Sequence, residues 1–114
     1  MASQRIERVA RNESAFRALN ESLEASVHRG RPAEDFAGFV CECGDPDCQA
    51  TVRLDLGTYE SIRQNSQLFV TLPGHDVPDV EDVVRTNETY IVVRKHDDAS
   101  DMVEQTDPRR GSDQ

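Results

Sequence analysis

The chain has 114 residues, the size of one ordinary domain, and with 36% hydrophobic and 5% aromatic residues its core must be small. The formal net charge is −9: residues 1–31 carry six Arg and four Glu (+2), and the remainder carries seven basic and eighteen acidic side chains (−11). An acidic body repels phosphate backbones, so we expect no binding to duplex nucleic acid and favour a protein partner. No run of residues resembles a secretory signal or a membrane helix, so we expect a cytoplasmic protein without membrane association.

Residues 4–28 have the periodicity of one long amphipathic helix. Its apolar residues recur at about 100° per residue. They form one stripe, made of Ile6, Val9, Phe16, Leu19, Leu23 and Val27. Ser3 is the expected N-cap, and Gly30 and Pro32 are expected to end the helix.

The polar residues and the length of this helix lead to two further expectations. Asn12 and Asn20 fall inside the apolar arc, so their amides must find partners or face water. At ~1.5 Å rise per residue the helix is roughly 37 Å long, which is more than a small core covers. We therefore expect its first half to meet a partner protein or a second protomer, through Arg5, Ile6, Arg8, Val9 and Asn12.

After the helix the pattern changes to short strands. The predicted strands are Phe36–Val40, Thr51–Leu56, Gln67–Thr71, Val80–Arg85 and Thr89–Lys95. A short helix capped by Thr58 is expected between the second and third strands. The fold class is therefore α+β, a long N-terminal helix packed on a small, mainly antiparallel sheet. A last helical turn is expected within 99–105, and 107–114 has the composition of a disordered tail.

The strongest chemical signal is a segment that contains all three cysteines of the chain, Cys41-Glu42-Cys43-Gly44-Asp45-Pro46-Asp47-Cys48. Three thiolates on one turn can surround a tetrahedral ion, because Zn–S bonds are only ~2.3 Å long. Gly44 is expected to adopt a left-handed backbone that brings amides to the sulfurs. With a strand on each side, the segment predicts a zinc-knuckle hairpin.

Three thiolates need a fourth ligand, for which we favour His75. It follows Pro73-Gly74, a turn that would present the imidazole beside a predicted strand. The alternatives are His28, at the helix end, and His96, in a charged stretch. Asp45 and Asp47 are weaker candidates, since a carboxylate is a harder ligand.

Two other interpretations of the thiols stay open. They could be ordinary reduced cysteines, or they could form a redox switch. A structural disulfide is disfavoured because the number of cysteines is odd and because a bond between Cys41 and Cys43 would close a strained ring.

The cysteine segment resembles the post-SET zinc motif of histone lysine methyltransferases, which has the same C-x-C-x4-C spacing. For Cys41, Cys43 and Cys48 this implies the metal geometry only, because the methyltransferase domain has no counterpart in the chain. The whole chain also resembles a family of small, uncharacterised bacterial proteins. That resemblance lies in Arg11-Asn12-Glu13, Phe16-Arg17, Asn20-Glu21, Phe39-Val40-Cys41-Glu42-Cys43, Tyr59-Glu60, Pro73-Gly74-His75 and Asp107-Pro108-Arg109.

The sequence thus predicts one zinc-stabilised domain over 1–106, with the helix in 1–30 and the sheet and zinc knuckle in 31–98. We expect a zinc-binding module for protein interaction or regulation, with zinc held structurally by Cys41, Cys43, Cys48 and His75. A zinc- or redox-sensing switch is the alternative, and a small zinc enzyme is a third hypothesis. No catalytic constellation is recognisable, since a site with four protein ligands keeps no open position for substrate.

Overall fold

A computed structural model describes residues 2–96 and 107–108, with side chains from residue 7 onward. In this part of the chain the fold is α+β, as predicted, with a long N-terminal helix and two small antiparallel sheets. The elements in chain order are helix α1 (Ala2–Ser26), strands β1 (Phe36–Val40) and β2 (Thr51–Asp55), helix α2 (Leu56–Arg63), and strands β3 (Leu68–Thr71), β4 (Glu81–Thr86) and β5 (Ile91–Lys95). The expected last helical turn within 99–105 and most of the expected tail lie outside the described residues. No described helix is long and apolar enough to cross a membrane.

The five described strands form one two-stranded sheet and one three-stranded sheet. Strands β1 and β2 form a hairpin in which Val40 pairs with Thr51, and the cysteine segment lies in the connection between them. The second sheet has the order β3-β5-β4. The two sheets meet where the chain continues beyond β1, because the Glu42 amide donates to the Val70 carbonyl of β3 at 2.9 Å.

Helix α2 begins earlier than the sequence suggested. Its N-cap is Asp55 and not Thr58, which lies inside the helix. The Asp55 carboxylate accepts hydrogen bonds from the Thr58 amide at 2.9 Å and from the Thr58 hydroxyl at 2.7 Å. An aspartate caps better than a threonine, since its two oxygens can satisfy both donors.

The buried face of α1 is polar, which corrects the predicted apolar stripe. Leu19 and Val27 are 53% and 61% exposed, whereas Val9 is buried and Phe16 and Leu23 are partly buried. Neighbouring positions are buried instead, namely Ala10, Glu13, Ser14, Arg17 and Asn20. Charged groups are buried only when they are paired or hydrogen-bonded, so partners elsewhere in the chain determine the orientation of this helix.

Two buried arginines form part of these contacts. The Arg17 guanidinium lies 4.5 Å from the centre of the Phe69 ring and donates to the Ser66 carbonyl at 2.5 Å. Arg63 of α2 contacts Glu21 at 2.6 Å and Asp107 at 2.5 Å. Asp107, the first residue of the expected tail, is therefore buried against α2.

A second polar contact joins α1 to the sheet of β3, β4 and β5. The Lys95 ammonium group lies 2.5 Å from Glu13 Oε1 and 2.9 Å from Glu81 Oε1, and all three side chains are buried. Burial, and then the adjacent Glu81 carboxyl, raise the pKa of Glu13 well above its ordinary value. Glu13 Oε2 is buried and accepts no hydrogen bond from the described residues. The raised pKa favours the protonated form of Glu13.

This arrangement predicts that substitution of Lys95 destabilises the protein more than substitution of Glu13 does. Lys95→Met should lower the free energy of unfolding by about 3–5 kcal/mol, because it leaves a buried carboxylate without its cation. Glu13→Gln should cost less than about 1 kcal/mol near pH 5, since its amide can replace the protonated carboxyl group. Urea denaturation followed by circular dichroism measures both changes.

The pH dependence of stability tests the protonation of Glu13 independently. A raised native pKa means that the Glu13 contribution to stability is complete below pH 4.5, its ordinary pKa, and is lost as pH rises towards the native value. The stability of the wild type should therefore fall relative to Glu13→Gln as pH increases. Parallel curves for the two proteins would show that Glu13 is ionised in the native state.

Candidate metal centre

The hairpin connection between β1 and β2 positions the three cysteines. The Cys41 amide donates to the Ala50 carbonyl at 3.1 Å, so the hairpin pairing extends one residue beyond β1. Asp45 begins a turn that ends at Cys48, whose amide donates to the Asp45 carbonyl at 3.1 Å. Proline is favoured at the second position of such a turn, which is where Pro46 lies. The turn folds Cys48 back towards Cys41 and Cys43.

A second turn presents the histidine. The His75 amide donates to the Leu72 carbonyl at 3.1 Å, which closes a four-residue turn with Pro73 and Gly74 at its centre. Gly74 has φ +87°, the conformation that glycine adopts freely at the third position of a type II turn. The predicted Pro-Gly turn is therefore present, directly after β3, and it directs the imidazole at the cysteine segment.

Together the two turns place four side chains around one point. His75 Nδ1 lies 3.6 Å from Cys41 Sγ and 3.7 Å from Cys48 Sγ. With Cys43, the potential ligand atoms all lie within 4.8 Å of one another. Cys41, Cys43, Cys48 and His75 are thus positioned to hold a metal ion.

The other candidate ligands have partners elsewhere. His28 packs against the Phe39 ring, with 5.3 Å between ring centres, and its Nδ1 lies 3.2 Å from Arg31. His96 lies 3.2 Å from Asp82 at the end of the other sheet. Asp45 is exposed and accepts the Asp47 amide at 2.9 Å, which stabilises the turn. Its role, like that of Pro46, is to shape the loop.

The surroundings of the thiols explain how such a site would take up a metal. Burial, and then the neighbouring thiols, raise the pKa of Cys41 and of Cys43, although backbone amides partly oppose the rise. For Cys41 that amide is Leu72, whose nitrogen lies 3.3 Å from Sγ. Without a metal the buried thiols therefore keep their protons. Metal binding would displace them, so affinity should increase with pH.

Between the two buried cysteines, Glu42 faces the opposite way. Its carboxyl group is fully buried and accepts the Tyr59 hydroxyl at 2.7 Å, the Asn20 amide group at 2.8 Å and the Val70 backbone amide at 3.1 Å. Burial raises the pKa of Glu42, and these hydrogen bonds oppose the rise. Sequence reasoning missed this residue. The available clue was strand-like alternation, which places the middle residue of Cys-Glu-Cys opposite its neighbours.

Helix α1 contacts the loop that carries the cysteines from the other side. Asn20 donates to the Val40 carbonyl at 2.8 Å and accepts the Val40 amide at 2.7 Å, in addition to its contact with Glu42. Asn12 donates to the Gly44 carbonyl at 2.9 Å. Both asparagines thus find the partners that their position on the helix demanded.

Gly44 has a different role from the expected one. Its backbone is not left-handed, since among the described glycines only Gly30 and Gly74 have positive φ. Instead, a Cβ atom on Gly44 would lie 2.6 Å from Val9 Cγ1, so the absence of a side chain allows α1 to approach the loop. This contact also changes the expectation for the first half of α1. Val9 packs against Gly44 and Asn12 donates a hydrogen bond to its carbonyl, so neither side chain is free to meet a partner.

No protein-family model, curated protein or solved structure matches this chain. The site is therefore interpreted from its own chemistry.

The contact between α1 and Gly44 gives a testable prediction. Gly44→Ala should lower the free energy of unfolding by about 1–3 kcal/mol, because the new methyl group overlaps Val9 and the packed helix cannot retreat without loss. Shortening Val9 should remove the overlap. The double variant Val9→Ala/Gly44→Ala should therefore lose less free energy of unfolding than the sum of the losses in the two single variants. Thermal and urea denaturation of the four proteins complete the cycle. Strict additivity would mean that the two residues do not touch.

Proposed function

We propose that this protein is a small zinc-binding module for protein–protein interaction or regulation, in which zinc has a structural role. The observation that carries the proposal is the convergence of Cys41, Cys43, Cys48 and His75. Their donor set consists of three soft sulfurs and one imidazole nitrogen, a combination typical of structural zinc sites.

The distances favour zinc as the ion. Zinc bonds of ~2.3 Å to sulfur and ~2.0–2.1 Å to nitrogen place tetrahedral sulfur and nitrogen ligands about 3.5–3.6 Å apart. The separations from His75 Nδ1 to Cys41 Sγ and Cys48 Sγ are 3.6 and 3.7 Å. These two separations therefore already suit a shared zinc ion.

A structural role fits better than a catalytic one. Four protein ligands complete a tetrahedral shell, whereas catalytic zinc keeps one position for water or substrate. The surroundings of the loop support the same conclusion, since Asn12 and Asn20 of α1 and Tyr59 of α2 all contact residues of the 40–44 segment. An ion that fixes this loop also fixes the surfaces on which both helices pack.

For the interaction we favour the exposed face of α1. Arg8, Arg11 and Leu19 lie on its solvent side, and Leu19 is half exposed. Arginines beside an apolar side chain suit a partner with an acidic surface. A second copy of the chain offers such a surface, since the residues from 32 onward carry a net charge of −11.

Metal analysis tests the first part of the proposal. Purified protein should contain about one equivalent of zinc, and Cys43→Ser should lose the ion and unfold the loop, because binding free energy is also folding free energy. His75→Ala should bind more weakly but keep part of the structure, since water can replace the imidazole. The matched controls are His28→Ala and His96→Ala, which should keep a full equivalent. A metal-free wild type with a normal melting transition would contradict the proposal.

Charge reversal on α1 tests the second part. Arg8→Glu/Arg11→Glu should weaken self-association measured by sedimentation velocity, and the effect should shrink at high salt, because exposed charges are screened. Arg85→Glu, on an exposed position of β4, is the control for net charge. A wild type that stays monomeric at high concentration, or equal effects of both changes, would place the interaction elsewhere.

A further inference from the structure

We propose that Cys48 is an oxidation-sensitive ligand, through which a hydroperoxide releases the metal and links Cys48 to Cys43 in a disulfide. The inference rests on the proposed zinc site and assigns a chemical means of regulation to it. The three thiols have the same chemistry, but the fold gives them different surroundings.

The first difference is access from solvent. Cys41 and Cys43 are 0% and 1% exposed and belong to the main hydrophobic cluster. Cys48 is only partly buried, at the end of an exposed turn in which Asp45 and Asp47 face solvent. Cys48 is therefore the most exposed of the three cysteines, and a small oxidant should reach it before the other two.

The second difference is hydrogen bonding to sulfur. The Leu72 amide lies 3.3 Å from Cys41 Sγ and donates to it. Among the described residues, no backbone amide donates to Cys48 Sγ, whose neighbour is His75 Nδ1 at 3.7 Å. Amide hydrogen bonds withdraw negative charge from a metal-bound thiolate and tune its reactivity. Cys48 is therefore the most exposed of the three cysteines, and within the described part of the chain its sulfur lacks the amide contact that Cys41 makes.

A resolving thiol lies next to it. Cys43 interacts directly with Cys48, and the ligand atoms of the cluster are all within 4.8 Å of one another. Cys41 is a poorer partner for the oxidised Cys48, because its direct thiol contact is with Cys43 and not with Cys48. This favours a bond between Cys43 and Cys48.

The reaction balances in two steps. The Cys48 thiolate attacks the terminal oxygen of the hydroperoxide, an S–O bond forms, the O–O bond breaks, and the alkoxide or hydroxide leaving group takes a proton from water. Sulfur is thereby oxidised by two electrons and the peroxide is reduced. The Cys43 thiolate then attacks Cys48 Sγ, an S–S bond forms, the S–O bond breaks, and hydroxide leaves as water after protonation.

The metal is lost as a consequence. Two of its four ligands become a disulfide, and Cys41 and His75 alone hold zinc weakly. Gly44 lies inside the loop that the disulfide closes, and this is the residue on which Val9 and Asn12 of α1 rest. Oxidation thus acts on the segment that supports the helix.

The experiment follows zinc and thiols together in the full-length protein. Zinc content is measured first, and the zinc-loaded protein is treated with hydrogen peroxide beside a zinc-sensitive dye. We expect one zinc released per two thiols lost, a Cys43–Cys48 disulfide in the peptide map, and recovery of binding after reduction. With limiting iodoacetamide, Cys48 should be alkylated at least about tenfold faster than Cys41 or Cys43, because alkylation follows the accessibility of the thiolate.

A second test removes the reactive sulfur. The zinc content of Cys48→His is measured before treatment, and the zinc that it holds should be released at least about tenfold more slowly in peroxide, since the accessible thiolate is absent. If this variant holds no zinc, the order of alkylation and the peptide map of the wild type decide the question. Equal release rates, or first modification at Cys41 or Cys43, would overturn this proposal while the zinc site stands. A wild type that contains no zinc would overturn the zinc site itself.

Discussion

The burial of the Glu42 carboxyl group is the constraint on which the arrangement of this protein depends. A buried carboxyl group is costly unless its oxygens are satisfied, and here the donors come from α1, α2 and β3. The buried position of Glu42 therefore depends on all three elements. With Glu42 buried, strand-like alternation leaves Cys41 and Cys43 facing the other way, towards His75. Glu42 thus links the arrangement of the four potential metal ligands to one of the contacts that dock the first helix.

The same reasoning explains why the helix interface is polar. An apolar stripe would bind the sheet in several registers, because apolar contacts are not directional. Glu13, Arg17 and Asn20 each meet a particular partner, and a shift of the helix along its axis would leave buried charges unpaired. We infer that the polar contacts select one position of α1 over the loop that carries the cysteines. Buried polar groups have been found to select a register in other helical systems.

Local sequence patterns were sufficient to predict most of the helices and strands and the residues of the candidate site. The strands alternate or are rich in β-branched residues, and the Pro73-Gly74 turn and the cysteine spacing depend on residues close together in the chain. The orientation of α1 could not be predicted in this way, because its partners lie far along the sequence. Lys95 is 82 residues from Glu13, and Ser66 is 49 residues from Arg17. The same holds for Gly44, whose role depends on Val9 in another element.

These separations also have a consequence for protein synthesis. Helix α1 is synthesised before both sheets, and Lys95, which pairs with its Glu13, is among the last described residues to be made. Contacts between distant residues form late, and segments that wait with exposed apolar surface tend to aggregate. Most of the buried side chains on the docking face of α1 are polar, namely Glu13, Ser14, Arg17 and Asn20. An undocked α1 would therefore expose little apolar surface during this interval.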